Sequence, residues 1–490
     1  MKQPKAKTIG ELKASGYTPK TIKQEIRDNL VARMKAKQPM FEGILGYDQT
    51  VIPDVQRSIL SRHNMILLGL RGQAKTRIAR LMVDLLDEWV PVLEGSELNE
   101  DPLLPITKQS IEKIAELGDK TPITWLHRSD RYAEKLATPD VSVADLIGDV
   151  DPIKAANMRL SYADERVIHF GLVPRSNRCI FVINELPDLQ ARIQVSLFNI
   201  LQEGDVQIRG FKLRLPLDIQ FVFTANPEDY TNRGSIVTPL KDRIESQILT
   251  HYPKDIAISK SITLQEAELT AEQKATVGYS DLALTLNEQI AVEARSSEFV
   301  DAKSGVSARL TISAFENLFS AAERRSIING EDKTYVRMGD FWGIIPAITG
   351  KIELVYEGEQ EGPYIVAQNL LSKSIRTLFA EYFPNPEKLR KKKDANPYQV
   401  IVDWFNLNTL DILNEVKDKD YAHRLLAVDG LDDLVKKYHP EVKGPEKLFY
   451  MEFVLHGLAE FSQLNKHQLE TGVRFKDLLG AMFDMSGGEN

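Results

Sequence analysis

An apolar run that leads into a glycine-containing turn constrains this chain more than any other segment. Residues 65–76 read Met-Ile-Leu-Leu-Gly-Leu-Arg-Gly-Gln-Ala-Lys-Thr. The four apolar residues predict a strand that is covered on both faces. The glycines permit a tight turn whose backbone N–H groups can surround phosphate oxygens. A helix over residues 78–86 would begin next to those phosphates, where its N-terminal dipole is favourable.

The polar end of this turn predicts a nucleotide-binding site. Lys75 would reach the β- and γ-phosphates, and the Thr76 hydroxyl would face Mg²⁺. The predicted binding residues of the loop are Gly69, Gly72, Gln73, Ala74, Lys75, Thr76 and Arg77. Ala74 stands where the general pattern G-x-x-x-x-G-K-[ST] has its second glycine, and it avoids strain only if its φ is negative. The alternative is a chance glycine-rich turn in an α/β protein.

A second buried strand ends in two polar residues. Residues 179–185 read Cys-Ile-Phe-Val-Ile-Asn-Glu. Ligands bind at the carboxyl ends of the strands in open α/β sheets, so this end is a candidate for catalysis. Glu185 is placed to polarise a water for attack on the γ-phosphate. Asn184 would contact Mg²⁺ through a bound water, and its uncharged amide predicts weaker coordination than a carboxylate gives.

Two further segments complete the predicted site. Residues 218–226 predict another buried strand, and Asn226 at its end could orient the attacking water. Gly46 and Tyr47 belong to an apolar turn just upstream of the loop. That position is suited to covering an adenine ring.

The composition is that of an ordinary globular chain, since 43% of the 490 residues are hydrophobic and 27% are charged. This length predicts two to four domains. Cys179 is the only cysteine, which excludes an internal disulfide and a cysteine-based zinc site and fits a reducing cytoplasm. Neither a membrane span nor a secretory signal is expected. The net charge of −8 argues against indiscriminate nucleic-acid binding.

Several segments around the core predict structure more than chemistry. Residues 1–40 are basic and contain a helix near 20–37, which is either a docking arm or an extension packed on the next domain. The next core strand is expected at residues 123–126. An inserted hairpin strand is expected at 167–173, where His169 is an ordinary hairpin residue.

Two later segments are also predicted from pattern alone. Alternating residues at 206–215 predict a β-hairpin whose outward Lys and Arg side chains either touch a substrate or are solvated. Residues 363–490 are expected to be mostly helical. The basic run at 390–393 is interpreted as a solvated loop.

Taken in order, these segments resemble the AAA+ ATPases, and within them the MoxR and magnesium-chelatase-like branch. The resemblance covers about residues 40–350. Residues 69–76 resemble the Walker A motif, and alanine before the lysine is common in MoxR members. Residues 180–185 resemble Walker B, although Asn184 stands in place of the usual Asp. Residues 224–227 are similar to sensor 1, and the hairpin at 206–215 resembles the insert that precedes it.

Two arginines acquire a role only from this resemblance. Residues 240–244, Leu-Lys-Asp-Arg-Ile, resemble the arginine-finger motif of the family, which implies Arg243 as the finger. Residues 305–309, Gly-Val-Ser-Ala-Arg, resemble sensor 2, which implies that Arg309 reaches the γ-phosphate from the lid. The implied catalytic residues are Glu185, Asn226, Arg243 and Arg309.

The resemblance implies an α/β fold with an AAA+ P-loop NTPase core built on a parallel sheet and a helical lid domain. The helical spacing of apolar residues further along the chain predicts an additional mostly α-helical C-terminal domain. The predicted domains are a basic helical extension at 1–40, the nucleotide-binding domain at 41–252, the lid with sensor 2 at 253–355, and the C-terminal domain at 356–490. The last of these matches no family pattern and contains no catalytic constellation.

The implied function is that of an ATP-hydrolysing ring ATPase, with ATP and Mg²⁺ as cofactors, that remodels or activates a partner protein. A homo-oligomeric ring, expected to be a hexamer, would complete each site with a neighbour's arginine. The implied partner is a von Willebrand A domain protein. The substrate is expected to be a protein. The chain itself is expected to have no membrane span and to bind no specific nucleic acid. Metal insertion, as in the magnesium chelatases, is the more specific version.

Two other classes of function are possible from the residues. A nucleotide-gated scaffold that turns over little ATP is favoured by Asn184 alone. A transcription activator acting on the alternative sigma factor is disfavoured, because the chain lacks the G-A-F-T-G-A loop and a convincing C-terminal helix-turn-helix.

Overall fold

The computed structural model describes residues 3–161, 164–206, 215–226, 235–392 and 396–478. The chain divides into two compact units, Met1–His251 and Tyr252–Asn490. Among the described residues, every helix is too short or too polar to cross a bilayer.

A five-stranded parallel sheet forms the centre of the first unit. The strands of this unit are β1 Met65–Leu68, β2 Trp89–Leu93, β3 Ile123–His127, β4 Tyr132–Leu136, β5 Gly148–Val150, β6 Ile168–Phe170, β7 Ile180–Asn184, β8 Asp205–Val206, β9 Leu215–Pro216, β10 Gln220–Ala225 and β11 Ser246–Leu249. The central sheet has the order β11-β1-β10-β7-β4. Its neighbouring strands are all parallel. The prediction of a parallel sheet is therefore confirmed.

The inner strands are buried on both faces because helices cover the sheet on each side. Ile66 and Leu68 of β1 belong to one apolar cluster, whereas Met65 and Leu67 belong to another. The helices of this unit are α1 Ile9–Ala14, α2 Ile22–Lys35, α3 Val51–Leu60, α4 Lys75–Leu81, α5 Lys108–Leu117, α6 Val143–Leu146, α7 Pro152–Met158, α8 Leu172–Arg175, α9 Ala191–Ser196, α10 Phe198–Glu203 and α11 Thr238–Asp242. Short 3-10 helices lie at Met82–Leu85, Gly118–Lys120, Arg128–Asp130, Glu165–Val167 and Leu186–Asp188.

The prediction of the next core strand at residues 123–126 is wrong. Those residues form β3, which pairs antiparallel with β2 in a separate two-stranded sheet. The strand that joins the central sheet is β4, which pairs with β7. Because β4 lies at the edge of the sheet, its residues Tyr-Ala-Glu-Lys-Leu are only partly buried and lack the apolar run that marks an inner strand.

The basic N-terminal residues pack within the first unit. Thr21 caps α2 by accepting a hydrogen bond from the Gln24 N–H. Ile22 and Ile26 lie in the apolar cluster that also contains Ile78 of α4. Glu25 and Arg131 form a buried bidentate ion pair with distances of 2.6 and 2.7 Å. These contacts favour a packed extension over a free docking arm.

The predicted hairpin at 167–173 is present in shortened form, as β6 paired antiparallel with β5, and Gly171 leads into α8. His169 is an exposed residue of β6 opposite Asp149. At 206–215, the paired ends β8 and β9 are described. The predicted outward Lys and Arg side chains, at residues 209, 212 and 214, lie outside the described residues.

The second unit is mostly helical. Its helices are α12 Ile256–Glu266, α13 Ala271–Thr276, α14 Asp281–Arg295, α15 Arg309–Asn329, α16 Ile345–Thr349, α17 Tyr356–Glu361, α18 Pro363–Tyr382, α19 Pro386–Lys392, α20 Gln399–Phe405, α21 Asp418–Leu426, α22 Leu431–Tyr438 and α23 Gly444–Glu460, with a 3-10 helix at Met338–Ile344. Its strands are β12 Val277–Gly278, β13 Thr334–Tyr335, β14 Leu410–Leu413, β15 Asn465–Leu469 and β16 Gly472–Lys476.

One small sheet in this unit was not predicted from the sequence. It has three antiparallel strands in the order β14-β16-β15. A single apolar cluster extends from Val277 to Phe475, across the predicted boundary between residues 355 and 356. The division of residues 253–490 into a lid and a C-terminal domain stays a prediction.

Candidate active site

The polar residues predicted to act together lie at one edge of the central sheet. The strands β1, β10 and β7 are adjacent and parallel, so their carboxyl ends meet there. The loop of residues 69–74 follows β1, Asn226 follows β10, and Asn184 ends β7 with Glu185 directly after it. This is the edge at which ligands bind in open α/β sheets.

Asn184 links the loop to the neighbouring strands. Its Oδ1 accepts a hydrogen bond from the Thr76 hydroxyl at 3.2 Å and another from the Thr224 hydroxyl at 3.1 Å. The Thr224 hydroxyl oxygen in turn accepts the backbone N–H of Glu185 at 3.2 Å. One buried threonine therefore fixes both polar residues at the end of β7. Thr224 was not predicted, because a hydroxyl within an apolar strand gives no separate sequence signal.

The loop encloses the amine of Lys75. Only 8% of this residue is exposed, and its Nζ donates hydrogen bonds to the carbonyl oxygens of Gly69 and Leu70, the latter at 3.0 Å. The helix α4 begins at Lys75, and a 3-10 helix at Met82–Leu85 continues it, in agreement with the helix predicted over residues 78–86. Thr76 is partly buried, whereas Gly72 and Arg77 are exposed.

Gly69 is required by close packing. A Cβ atom at this position would lie 1.9 Å from the Thr250 Oγ1 and 2.2 Å from the Gln73 Oε1. A side chain at residue 69 would therefore have to displace both of these atoms. The first glycine of the loop is therefore fixed by side chains packed against it, a constraint that the motif alone does not reveal.

The condition set on Ala74 by the sequence is not met. Its φ is 55° and its ψ is 17°, which is a left-handed conformation. This backbone costs an alanine about 1–2 kcal/mol because Cβ approaches the following carbonyl oxygen. Local strain of this size is common at functional sites, where the surrounding structure holds it in place. The alanine is thus accommodated with strain, and not by a negative φ.

Glu185 also has a left-handed backbone, with φ 55° and ψ 52°. Its carboxylate is on a partly exposed residue at the end of a buried strand. Cys179, directly before the start of the same strand, is buried, and this burial raises the pKa of its thiol to about 11. A thiol of that kind stays protonated near neutral pH, so it is not a nucleophile.

Asn226 is a buried polar side chain at the ligand edge of the sheet. Only 3% of the residue is exposed, and its Oδ1 has no hydrogen-bond partner in the described part of the chain. Leaving such an acceptor unpaired costs about 1–3 kcal/mol. A buried group of this kind at the ligand edge of the sheet is suited to bind a water or a ligand.

The oxygen atoms of Thr76 and Asn184 and the carboxylate of Glu185 are the ligand types that Mg²⁺ prefers. The described residues contain no group of three or more His, Cys, Asp or Glu that could hold a metal ion unaided. Mg²⁺ is usually held by one or two protein groups together with substrate phosphates. The residues at this edge fit that mode of binding.

The spatial order now decides the architecture. The strand that ends in Asn226 lies between the strand of the loop and the strand of Asn184, in one parallel sheet. The segments that resemble Walker A, Walker B and sensor 1 thus meet at one edge, as the resemblance requires. The fold is that of an AAA+ ATPase.

Comparisons with known proteins find matches among solved structures only. No protein-family model matches the chain, and neither does any curated protein sequence. A candidate ATPase from Cytophaga hutchinsonii is 17% identical with a TM-score of 0.28, and the match covers 74% of this chain and 97% of that chain. A complex of the magnesium chelatase subunits BchI and BchD is 18% identical with a TM-score of 0.33, with coverages of 66% and 99%. NtrX from Brucella abortus with ADP is 13% identical with a TM-score of 0.39, with coverages of 74% and 72%.

These TM-scores are too low to add to the argument from the strand order and the site. The prediction of the AAA+ architecture is confirmed, and the MoxR branch within it stays a prediction. The remaining site residues are considered on their own contacts.

Tyr47 packs on the phosphate loop of the AAA+ core. It is 5% exposed, and its hydroxyl lies 3.2 Å from the Gln73 carbonyl oxygen and 2.6 Å from the His251 carbonyl oxygen. Gly46 before it has a φ of 78°, which glycine adopts without strain. His251 was not predicted. It follows β11 at the same edge of the sheet, so the rule that identified Asn184 would also have found it had β11 been recognised.

The two arginines of the AAA+ resemblance lie in different units. Arg243 follows α11, and its guanidinium donates to the Gln202 Oε1 at 2.7 and 3.0 Å and to the Pro239 carbonyl at 2.7 Å. It also lies 5.2 Å from the centre of the Phe198 ring. Arg309 is an exposed residue at the start of α15 in the second unit. Both catalytic roles stay predictions.

Proposed function

We propose that this chain is an AAA+ ATPase that binds and hydrolyses ATP. One observation carries the proposal: the Thr76 hydroxyl and the Thr224 hydroxyl both donate to Asn184, and Thr224 also fixes the backbone of Glu185. This network joins the phosphate loop to the residue that would activate water. A chance glycine-rich turn has no reason to be connected to a strand-end carboxylate in this way.

Different residues of the chain would bind the phosphates, activate the water and stabilise the developing charge. The loop N–H groups and Lys75 would bind the phosphates, and Mg²⁺ would neutralise charge on the phosphate oxygens when bound. Glu185 would accept a proton from the attacking water, and the buried Oδ1 of Asn226 would orient that water by accepting a hydrogen bond from its other O–H group. Arg243 from a neighbouring subunit and Arg309 would stabilise charge on the transferred phosphoryl group.

Two substitutions test this proposal. Lys75→Ala should abolish detectable ATP binding in calorimetry, because it removes the cation that faces the phosphates. Glu185→Gln should retain binding and stop hydrolysis, because an amide cannot accept the proton. Thermal unfolding of both variants serves as the folding control, which Lys75 needs because it is buried. Unchanged ATP affinity in a folded Lys75→Ala variant would remove the nucleotide site.

The proposal extends to a machine that remodels a partner protein. Its parts are a hexameric ring, a von Willebrand A domain partner, a protein substrate, and a cytoplasmic location, and all derive from the resemblance to the MoxR branch. Glu185→Gln is the trap for testing them, since a variant that binds ATP without turnover should retain its partner. Pull-down with the trap in ATP, compared with Lys75→Ala, should enrich a partner only in the first case.

A nucleotide-gated scaffold is the second candidate, and Asn184 is the observation that favours it. An amide brings no charge toward the ion, so slow turnover would follow from weak metal binding. Turnover of the purified chain with Mg²⁺ separates the two. Asn184→Asp should lower the Mg²⁺ concentration for half-maximal activity, because a carboxylate restores the charge. An unchanged Mg²⁺ requirement would place Asn184 away from the metal. A magnesium-chelatase-type subunit remains the more specific form of the first candidate.

A further inference from the structure

The last two residues of the first unit contact the two segments that are proposed to bind the nucleotide. Thr250 and His251 directly follow β11, the edge strand beside β1. Neither residue belongs to any motif of the sequence. Their contacts are with the phosphate loop on one side and with the turn at residues 46–50 on the other.

Thr250 holds the phosphate loop through Gln73. Its hydroxyl lies 2.7 Å from the Gln73 Oε1 and 3.2 Å from the Leu68 carbonyl oxygen, and its backbone N–H donates to the same carbonyl at 2.7 Å. Thr250 is 9% exposed and Gln73 is 6% exposed. The hydroxyl is therefore the buried donor that satisfies a buried amide oxygen of the loop.

The space around this contact is closed. A Cβ atom on Gly69 would lie 1.9 Å from the Thr250 hydroxyl oxygen and 2.2 Å from the Gln73 amide oxygen. The three residues therefore form one packed contact at the start of the loop. Because closely packed interiors transmit strain, a change in the Thr250 side chain should displace the loop backbone.

His251 contacts the second segment, the turn at residues 46–50. Its carbonyl oxygen accepts the Tyr47 hydroxyl at 2.6 Å, and its Nε2 lies 2.8 Å from the Thr50 hydroxyl. The His251 and Tyr47 rings meet edge to face, with centres 5.0 Å apart. The turn that is predicted to cover the base is thus fastened to the residue after Thr250.

We propose that Thr250 and His251 are positioning residues for the nucleotide: Thr250 orders the phosphate loop through Gln73, and His251 orders the base-covering turn through Tyr47 and Thr50. The inference rests on the proposed ATP site. If the loop is already ordered in the free protein, binding does not have to include the free-energy cost of ordering it. Loss of either anchor should weaken binding without removing any group that touches the phosphates.

The phosphate anchor is tested with Thr250→Val, which keeps the shape and removes the hydroxyl, and with Thr250→Ser, which restores it. Thr250→Val should weaken both ATP and inorganic tripolyphosphate about tenfold in calorimetry, the effect of one buried hydrogen bond. Thr250→Ser should bind within about twofold of the wild type. Thr121→Val is the matched control, because Thr121 is fully buried and donates to the Gly118 carbonyl elsewhere in the unit. Its affinity for both ligands should not change.

The base anchor is tested with His251→Phe, which keeps a ring beside Tyr47 and removes the nitrogen that meets Thr50. This variant should weaken ATP several-fold and leave tripolyphosphate unchanged, since tripolyphosphate has no base. Thr50→Val should have a similar effect, and the two changes together should not add, because they break the same contact. Equal loss of both ligands in His251→Phe would contradict the division of roles.

The outcomes separate this inference from the proposed function. If the wild-type chain binds neither ATP nor tripolyphosphate, both fall together. If it binds both and Thr250→Val binds as tightly as the wild type, only the positioning role of Thr250 is wrong. Should Thr250→Val not fold, Gln73→Met breaks the same contact from the other side while keeping the loop N–H group. Wild-type affinity in Gln73→Met would equally overturn the role.

Discussion

Asn226 in the first unit and Arg325 in the second are both polar side chains that are buried in their units, but their surroundings differ. Asn226 leaves its Oδ1 without a partner among the described residues. Arg325 is 2% exposed, and all three of its guanidinium nitrogens are engaged. Its partners are Thr334, the Tyr335 carbonyl, Asp340 and Asp418.

The difference separates two uses of a buried polar group. A satisfied network offers nothing to a ligand, so the Arg325 cluster is structural. An acceptor at the ligand edge of a parallel sheet that has no partner among the described residues is costly unless something binds it, which supports the predicted role of Asn226. The first unit also contains a satisfied pair, Glu25 with Arg131, so the distinction follows the site and not the unit. Substitutions on the two sides should therefore affect different measurements.

The largest expected effect is on activity without a loss of stability. Glu185→Gln and Arg243→Ala should each stop hydrolysis, and loss of an arginine that acts across a subunit boundary can cost about 10³–10⁵ in rate. In a mixed ring, one junction can still combine an intact Glu185 with a neighbour's intact Arg243. Mixing the two inactive proteins should therefore recover ATPase activity, with a dependence on total concentration that reflects assembly.

Subunit exchange must be shown separately with differently tagged chains. Arg192→Ala is the control for the removal of an exposed arginine, and it should keep full activity. If exchange occurs and no mixing ratio restores activity, Arg243 does not act across a simple two-subunit junction. Full activity in Arg243→Ala alone would show that the arginine-finger assignment is wrong.

The sequence predicted the parts of the site that follow inner strands. Buried apolar runs mark β1, β7 and β10; the glycine-containing loop after β1 identified Lys75, and the polar residues that follow β7 and β10 identified Glu185 and Asn226. The edge strands β4 and β11 have no such run, so β4 was misplaced and the residues after β11 were missed. An edge strand needs no continuous apolar face, which removes the signal.

Other features depend on contacts that no local pattern encodes. Arg325 meets Asp418 across 93 positions of sequence, so their pairing is set by tertiary packing alone. Thr224 is one hydroxyl in an apolar strand, and its role depends on two other strand ends. The left-handed backbone of Ala74 is imposed by the loop as a whole.

The next effect, on stability, belongs to the Arg325 cluster. Arg325→Met should lower the free energy of unfolding by about 3–5 kcal/mol, because it leaves the Asp340 carboxylate buried without its partner. Arg324→Met is the matched control at the adjacent position, since Arg324 pairs with Glu415 on the surface. That change should cost less than about 1 kcal/mol. Urea unfolding measures both, and equal losses would show that the buried network is not what stabilises this unit.

An intermediate case is Asp218, a mostly buried carboxylate in the first unit. Burial raises its pKa to about 6, although Arg178 opposes the shift and the Ile22 N–H donates to it at 2.6 Å. The folded state therefore retains a proton that the unfolded state has lost between about pH 4 and pH 6. This contribution to stability is complete below the ordinary pKa and is lost as the pH rises through about 6.

Asp218→Asn should remove that dependence, because the amide oxygen can still accept the Ile22 N–H and carries no charge. Relative to the wild type, the variant should gain on the order of 1 kcal/mol between pH 5 and pH 8. Asp119→Asn is the control for a surface carboxylate, paired with Lys13, and should change little at either pH. A gain that is no larger at pH 8 than at pH 5 would contradict the raised pKa.

The smallest effect concerns the strained backbone in the loop. Ala74→Gly relieves about 1–2 kcal/mol of left-handed strain. It also loosens the unfolded chain, which costs about 0.4–1 kcal/mol. The net change should be a gain in stability of between 0 and about 1.6 kcal/mol. ATP affinity should stay within about twofold, since the loop N–H groups are kept. Urea unfolding and calorimetry are the measurements.

Ala32→Gly should instead lower the stability, because Ala32 is an exposed residue inside α2, where glycine costs about 1 kcal/mol. The pair tests whether glycine relieves backbone strain at residue 74, whereas in a regular helix it only costs stability. Equal destabilisation by both substitutions would show that the backbone at residue 74 is not left-handed. A gain at Ala74 with a loss at Ala32 would locate backbone strain in the phosphate loop.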